Sequence, residues 1–371
     1  MADTVEILRR LIAFDTTSRN SNMGLISWVA DYLETFGARV RLTHNSDRTK
    51  ANLLATIGPE QAGGVVLSGH TDVVPVDDQI WASDPFILSE RAGKLYGRGT
   101  SDMKGFIASC LAAAPRWTGL QLQKPIHLAL SYDEEIGCLG APHLIDDLIE
   151  NLPLPAFAVI GEPTDMKLGV SHSGVHGLCT CFKGMAAHAS DPTLGVNAID
   201  AASGFIQHLG AVQKRVRAAN VGGTLNVGGI NGGTATNIVA ERCDVRWEYR
   251  ATDKHGETFI QELVDDYLRN ELPPGVLVAS ELKMAVPQFQ SNFDTAFFEI
   301  LKGFGAQLPL TRLPFGSEAG LFEAASIPAI VCGPGSIDQA HRPDEWIERS
   351  SLSDADAFMV GVGAWASKAL N

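Results

Sequence analysis

Short apolar runs alternate with amphipathic stretches over the first half of this chain, and that alternation limits the folds open to it. "ANLLATIG", "GGVVLSGH", "KPIHLALSY" and "PAFAVIGEP" are each bounded by Gly, Pro or polar clusters, as buried strands are. "VEILRRLIAF", "MGLISWVADYLETFG", "MKGFIASCLAAAPRW" and "APHLIDDLIENL" carry apolar residues at helical spacing between or before them. Buried strands interleaved with helices predict an α/β layer structure around a mixed, largely parallel sheet flanked by helices. A different order runs over residues 177–286: strand, helix, two strands, helix, strand, the ferredoxin-like α+β unit. Helix and strand signals of the first kind return from "AFFEILKGFGA" through "IPAIVCGPG" to "DADAFMVGVGAWASKAL". We therefore expect one domain built from residues 1–176 and 287–371, with a second, 177–286, inserted in it.

Bulk properties narrow the function. The length of 371 residues suits two domains. The net charge of −14, with no basic patch, argues against nucleic acid as a partner. No stretch approaches the roughly 20 apolar residues that span a bilayer, so a membrane is not expected either. Six cysteines, none in a C-x-x-C pair, read as buried thiols in a reducing compartment. With no secretory signal at the N-terminus, the expected location is the cytoplasm.

In open α/β sheets, ligands bind beyond the carboxyl ends of the strands. Those ends carry His70 and Asp72 in "SGHTDVVP", Glu134 and Glu135 in "SYDEEIG", Glu162 in "IGEPTD" and, further on, His341. Asp102 lies in the glycine-rich "GRGTSDMKG" just before a helix. Taken singly, each has a plain alternative: Asp102 caps its helix, Glu134 and Glu135 form a solvated turn, His341 sits in a polar loop. Gathered at one sheet edge, two histidines and several carboxylates suit zinc or a similar divalent ion. The carboxylates are too many for one ion, which points to two ions with one bridging acid, activating water for hydrolysis. A carboxylate left over would act as general base, and Asp72 would orient the His70 imidazole. Glu134 and Glu135 can reach one site only if the strand has ended and the backbone turns, for which Gly137 is suited. As a phosphate loop "GRGTSDMKG" lacks the G-x-x-x-x-G-K-[ST] pattern.

The blocks "SGHTDVVPVD", "YGRGTSDMKG", "DEEIGCLGA", "IGEPT" and "GPGSIDQAHRPDEWI", in this order over nearly the whole chain, resemble the acetylornithine deacetylase/succinyl-diaminopimelate desuccinylase family of co-catalytic zinc amidohydrolases. The resemblance implies that His70 and Glu162 bind one Zn2+ (or Co2+), that Glu135 and His341 bind a second, and that Asp102 bridges them. It further implies that Asp72 holds His70 and that Glu134 is the general base. The inserted domain is similar to the family's lid and dimerisation domain, which implies a homodimer. His188 in "GMAAHASDPTLGVNAI" would stabilise the oxyanion, across the dimer or after lid closure, while Asn237 and Arg250 would bind polar groups of the substrate, Arg250 its carboxylate. "SDPTLGVNAI" and "PFGSEAGLF" look most similar to the acetylornithine-hydrolysing branch, which implies acetate and L-ornithine as products and Glu318 facing the substrate amine. N-acetylcitrulline, succinyl-diaminopimelate or a dipeptide are the alternative substrates, and a non-catalytic metal-binding protein the alternative class. His143, His172 and His176 match no ligand position.

Overall fold

The structure is a computed structural model that describes residues 3–368. It divides into two compact units: one runs to Ser171 and takes in Phe289–Leu313 and the chain from Ser317 onward, the other comprises His172–Gln288 and Pro314–Gly316.

A nine-stranded mixed sheet forms the centre of the first unit. Its order is Arg39–His44, Ala51–Ile57, Ile126–Ser131, Val65–His70, Phe157–Ile160, Ala329–Val331, Lys167–His172 and Phe289–Gln290, with Gln307–Arg312 also paired to Lys167–His172. The four strands Ile126–Ser131, Val65–His70, Phe157–Ile160 and Ala329–Val331 run parallel, and antiparallel neighbours lie on both sides of them. All residues of these four parallel strands are buried, because helices cover both faces. Helix Gly105–Thr118 packs beside helix Arg349–Ala366, and the Trp117 indole donates to the Met359 carbonyl at 3.0 Å.

Several pieces of this unit were not expected, among them the strands Lys167–His172 and Gln307–Arg312. Arg39–His44 is a half-exposed flanking strand rich in Arg, His and Thr, with no apolar run to betray it. A small sheet of Ser89–Arg91, Lys94–Tyr96 and Trp346–Glu348 has strands of three residues each, too short for a periodic signal.

In the second unit, four antiparallel strands lie in the order Gly223–Gly232, Arg242–Ala251, Gly174–Lys183, Leu277–Val286. Helices Ala198–Ala218 and Lys254–Asn270 bury Phe182, Phe205, Val245, Trp247 and Tyr249 between themselves and one sheet face. Cys179 and Cys181 alternate with Phe182 and so stand on the opposite face, only half-buried. That corrects the expectation that all six cysteines are buried; the other four are. Among the described residues all six thiols are free, and no helix is long and apolar enough to cross a membrane.

Candidate metal centre

Because the four central strands are parallel, their carboxyl ends share one edge of the sheet, and the acids and histidines collect there. His70 is the last residue of its strand, and Glu162 follows Phe157–Ile160 after Gly161. Gly161 is required: a Cβ there would sit 2.1 Å from the Phe106 ring. Asp102 is not a helix cap. It lies in extended backbone (φ −120°, ψ 93°) ahead of helix Gly105–Thr118, whose capping position is held by Lys104.

Two trios of potential ligands result, His70–Asp102–Glu162 and Asp102–Glu135–His341, each with its ligand atoms within 4.8 Å of one another. Asp102 belongs to both. Its Oδ1 lies 3.0 Å from His70 Nε2, and its Oδ2 lies 3.4 Å from His341 Nε2. His70 Nε2 is 3.7 Å from a Glu162 oxygen, and His341 Nε2 is 3.0 Å from one of Glu135. Ligand atoms about 2.0–2.1 Å from a tetrahedral zinc lie roughly 3.3 Å from each other, so these spacings fit an ion in each trio. His143, His172 and His176 belong to neither.

Glu134 and Glu135 reach the same edge because their strand has ended at Ser131. Asp133 and Cys138 take left-handed backbone (φ 57° each) with Gly137 at φ 117°, and the N–H groups of Gly137 and Cys138 both donate to the Glu134 carbonyl at 2.9 Å. The Asp72 carboxylate fastens this turn: it accepts from the Glu134 N–H at 3.0 Å, the Glu135 N–H at 3.3 Å and the Ser18 hydroxyl at 2.7 Å. The expected Asp72–His70 contact therefore takes a different form. The imidazole Nδ1 meets the Asp72 main-chain carbonyl at 2.9 Å, whereas the carboxylate stands 3.7 Å away. A proton on Nδ1 leaves the Nε2 lone pair free for a metal.

The electrostatics describe a cluster short of positive charge. Burial, then the Asp102 charge, push the Glu135 carboxyl up to about 7 against the pull of His341. Burial also drives Glu162 and Glu134 well above the usual carboxylate range, reinforced at Glu162 by Asp102 and at Glu134 by Glu135, Glu318 and Asp72. At Asp102 burial is outweighed by bonds from His341 and His70, and the carboxyl falls below its ordinary value. Bonds to Asp102 and Glu135 raise His341 to about 10. At His70 burial acts downward but is overcome by Asp102 and the Glu162 and Glu134 charges. The protein's own positive partners here are two imidazoles, and divalent cations would relieve the remaining repulsion.

Glu318 is 1% exposed, and its two oxygens accept from the hydroxyls of Ser68, at 3.0 Å, and Ser131. His188, Asn237 and Arg250 belong to the second unit. There His188 is exposed, with Nδ1 accepting from the Ser190 N–H at 3.1 Å, and the neighbouring Asn237 carbonyl accepts from Ala189 at 3.0 Å. Arg250 pairs with Glu248 at 3.1 Å and reaches the Pro314 carbonyl at 3.4 Å.

Four residues around the site escaped the sequence reading. Lys50 pairs with Asp133 and also donates to the Ser18 carbonyl, so the first acid of "DEE" has its counter-charge within the fold. Arg98 and Glu345 form a buried ion pair, Nη1 to Oε2 2.7 Å, beside the Asp102 loop. Cys138 directs its thiol at Glu134 Oε1 from 3.4 Å. Cys138, Arg98 and Glu345 each lie four residues from a candidate site residue, Glu134, Asp102 and His341 respectively, whereas Lys50 lies far from all of them in sequence.

Comparison with known proteins agrees with this geometry. The model of "Peptidase family M20/M25/M40" matches residues 66–366. Acetylornithine deacetylase of Proteus mirabilis (strain HI4320) is 35% identical over 378 residues, covering 96% of this chain and 94% of that protein. Acetylornithine deacetylase of Shigella sonnei (strain Ss046) is 35% identical over 375 residues, 96% of each. Among solved structures, an M20 family metallo-carboxypeptidase from Sulfolobus solfataricus superposes with a TM-score of 0.79 at 16% identity, covering 99% of this chain and 100% of that one. A dinuclear metal-binding M20 peptidase from Bacillus subtilis does so at 0.65 and 15% identity, covering 99% and 98%. The chain belongs to peptidase family M20/M25/M40 and is a metal-dependent hydrolase acting on amides.

Proposed function

We propose that this chain hydrolyses the acyl amide bond of N2-acetyl-L-ornithine to acetate and L-ornithine. One observation carries the chemistry: the two oxygens of Asp102 face separate ligand trios, and Glu134 stands beside them in neither. The substrate reading is supported by the acetylornithine deacetylases at 35% identity.

His70 and Glu162 would hold one ion, Glu135 and His341 the other, and Asp102 both. Zn2+ or Co2+ bound there would polarise the acyl carbonyl and lower the pKa of a water. Glu134 takes the proton from the attacking water and returns it to the leaving amine nitrogen. Burial and the neighbouring acids keep its proton affinity high, which suits a base that must also give its proton back. Asp72 sets the Glu134–Glu135 turn and, through its main chain, the His70 tautomer. We assign His188 to the developing oxyanion, and Asn237 and Arg250 to the polar groups of the substrate. A guanidinium already held by Glu248 still has donors for a carboxylate. The second unit, with sheet edges at Gly223–Gly232 and Leu277–Val286, is our candidate for lid and homodimer contact. The free thiols support a reducing, cytoplasmic setting.

Amine release from N2-acetyl-L-ornithine, N-acetylcitrulline, succinyl-diaminopimelate and a dipeptide, measured side by side with metal restored after chelation, tests the reading. The highest kcat/KM is expected for N2-acetyl-L-ornithine, and faster turnover of any of the others would sink the substrate assignment.

A further inference from the structure

The Arg98–Glu345 pair is a costly object to bury, since both side chains are 1% exposed. Its hydrogen bonds show what it holds. Glu345 Oε1 accepts the N–H groups of Ser101, at 2.8 Å, and of Asp102, at 3.1 Å. Glu345 Oε2 accepts the Gly99 N–H at 2.9 Å as well as the Arg98 guanidinium. One carboxylate thus gathers three N–H groups of the loop that presents Asp102. Arg98 extends the connection the other way: Nη1 reaches the Arg342 carbonyl at 3.3 Å, and Nη2 reaches Gln79 Oε1 at 2.7 Å. Gln79 in turn donates from Nε2 to the His341 carbonyl at 3.0 Å. Asp102 and His341, separated by more than 200 residues, are therefore fastened by one hydrogen-bonded chain, Glu345–Arg98–Gln79.

We propose that Glu345, Arg98 and Gln79 are positioning residues for the metal centre, fixing Asp102 and His341 relative to each other and so setting the affinity of the Asp102–Glu135–His341 position above that of its neighbour. The proposal rests on the two-ion reading of the site. The asymmetry follows from the contacts. The Asp102–Glu135–His341 position uses two ligands anchored by the chain, whereas His70–Asp102–Glu162 uses one. Glu345→Gln keeps the shape but turns an NH2 group toward N–H donors on one side, which forces the loop to shift.

The test is stepwise titration of the apoprotein with Co2+, following stoichiometry, both dissociation constants and the visible absorption of the bound ion. Wild type is expected to take up two ions. Glu345→Gln and Arg98→Lys are expected to weaken one of them at least tenfold and change its absorption, with the other within about threefold of wild type. Gln79→Ala, at a half-buried residue outside the ion pair, is expected to weaken the same ion about threefold and serves if the pair variants fail to fold. A general loss of stability would weaken both ions alike, and that result, or two unchanged constants, overturns the proposal. A wild-type protein that takes up only one ion overturns the two-ion reading and this proposal together, which separates the two failures.

Discussion

Two buried charge clusters lie side by side in the first unit, and they resolve their burial in opposite ways. At Arg98–Glu345 the chain supplies what the charges need: a guanidinium and three N–H groups for one carboxylate. At the strand ends, Asp102, Glu134, Glu135 and Glu162 face two imidazoles, and three of these acids are pushed above their ordinary range. In the first cluster the carboxylate finds its partners within the fold, even though burial still raises Glu345 above its ordinary range and Arg98 Nε makes no hydrogen bond among the described residues, so it serves to hold the Asp102 loop. The second is left short of positive charge by the protein, so it serves a ligand that brings positive charge.

The largest effect should come from separating the acids by role. Glu134→Ala is expected to lower kcat by about 10²–10⁴-fold, with both ions retained in a metal analysis of the dialysed protein. Glu135→Ala and His341→Ala are expected to lose an ion as well as activity. Equal metal loss in all three variants would erase the distinction between base and ligand.

Charge removal should then act with opposite signs on the two clusters. Glu345→Gln breaks a satisfied pair and is expected to lower the stability of the metal-free protein by about 3 kcal/mol. Glu162→Gln removes a strained charge. In chemical denaturation at pH 9 the metal-free variant is expected to be more stable than metal-free wild type by on the order of 1 kcal/mol, while metal no longer stabilises it as it does wild type. Destabilisation of the same size by both substitutions would break the comparison.

How much of this was legible in the sequence follows the same division. The strand ends could be read because "GGVVLSGH", "KPIHLALSY" and "PAFAVIGEP" are buried on both faces and so carry unbroken apolar runs. The resemblance then assigned roles that strand-end logic alone left open. The turn that brings Glu134 and Glu135 to one side was foreshadowed by Gly137, but the left-handed Asp133 and its pairing with Lys50 were not. Lys50 and Asp133, like Arg98 and Glu345, are far apart in sequence and meet only through the sheet, so neither spacing nor periodicity marks them. Glu318, given a substrate role by the resemblance alone, also bonds two serine hydroxyls that lie far from it in sequence and that no spacing marks.

The pH response should sharpen the contrast further. Glu135, raised from an ordinary 4.5 to about 7, makes the folded metal-free state bind more protons than the unfolded one, so its contribution to stability falls as pH rises through that window. His341, raised from 6.5 to about 10, continues the fall to higher pH. Metal needs both groups deprotonated, so its affinity rises over the same range and binding releases protons. Calorimetry in buffers of different ionisation enthalpy should show that release, and proton uptake instead would contradict the assignment.

An effect on stability alone is expected at Lys50. Lys50→Ala leaves Asp133 without its partner at the turn, at a cost of about 1–3 kcal/mol, with metal stoichiometry unchanged. Thermal melts beside a metal count would detect it, and loss of an ion would mean that the turn depends on Lys50 more than Asp72 can offset.

Anomalous diffraction from crystals grown with Zn2+ is the decisive test of a two-ion centre. Two peaks are expected roughly 3.5–4 Å apart, one beside His70 and Glu162, the other beside Glu135 and His341, with the Asp102 carboxylate between them. A single peak, or two peaks that do not share Asp102, would contradict it.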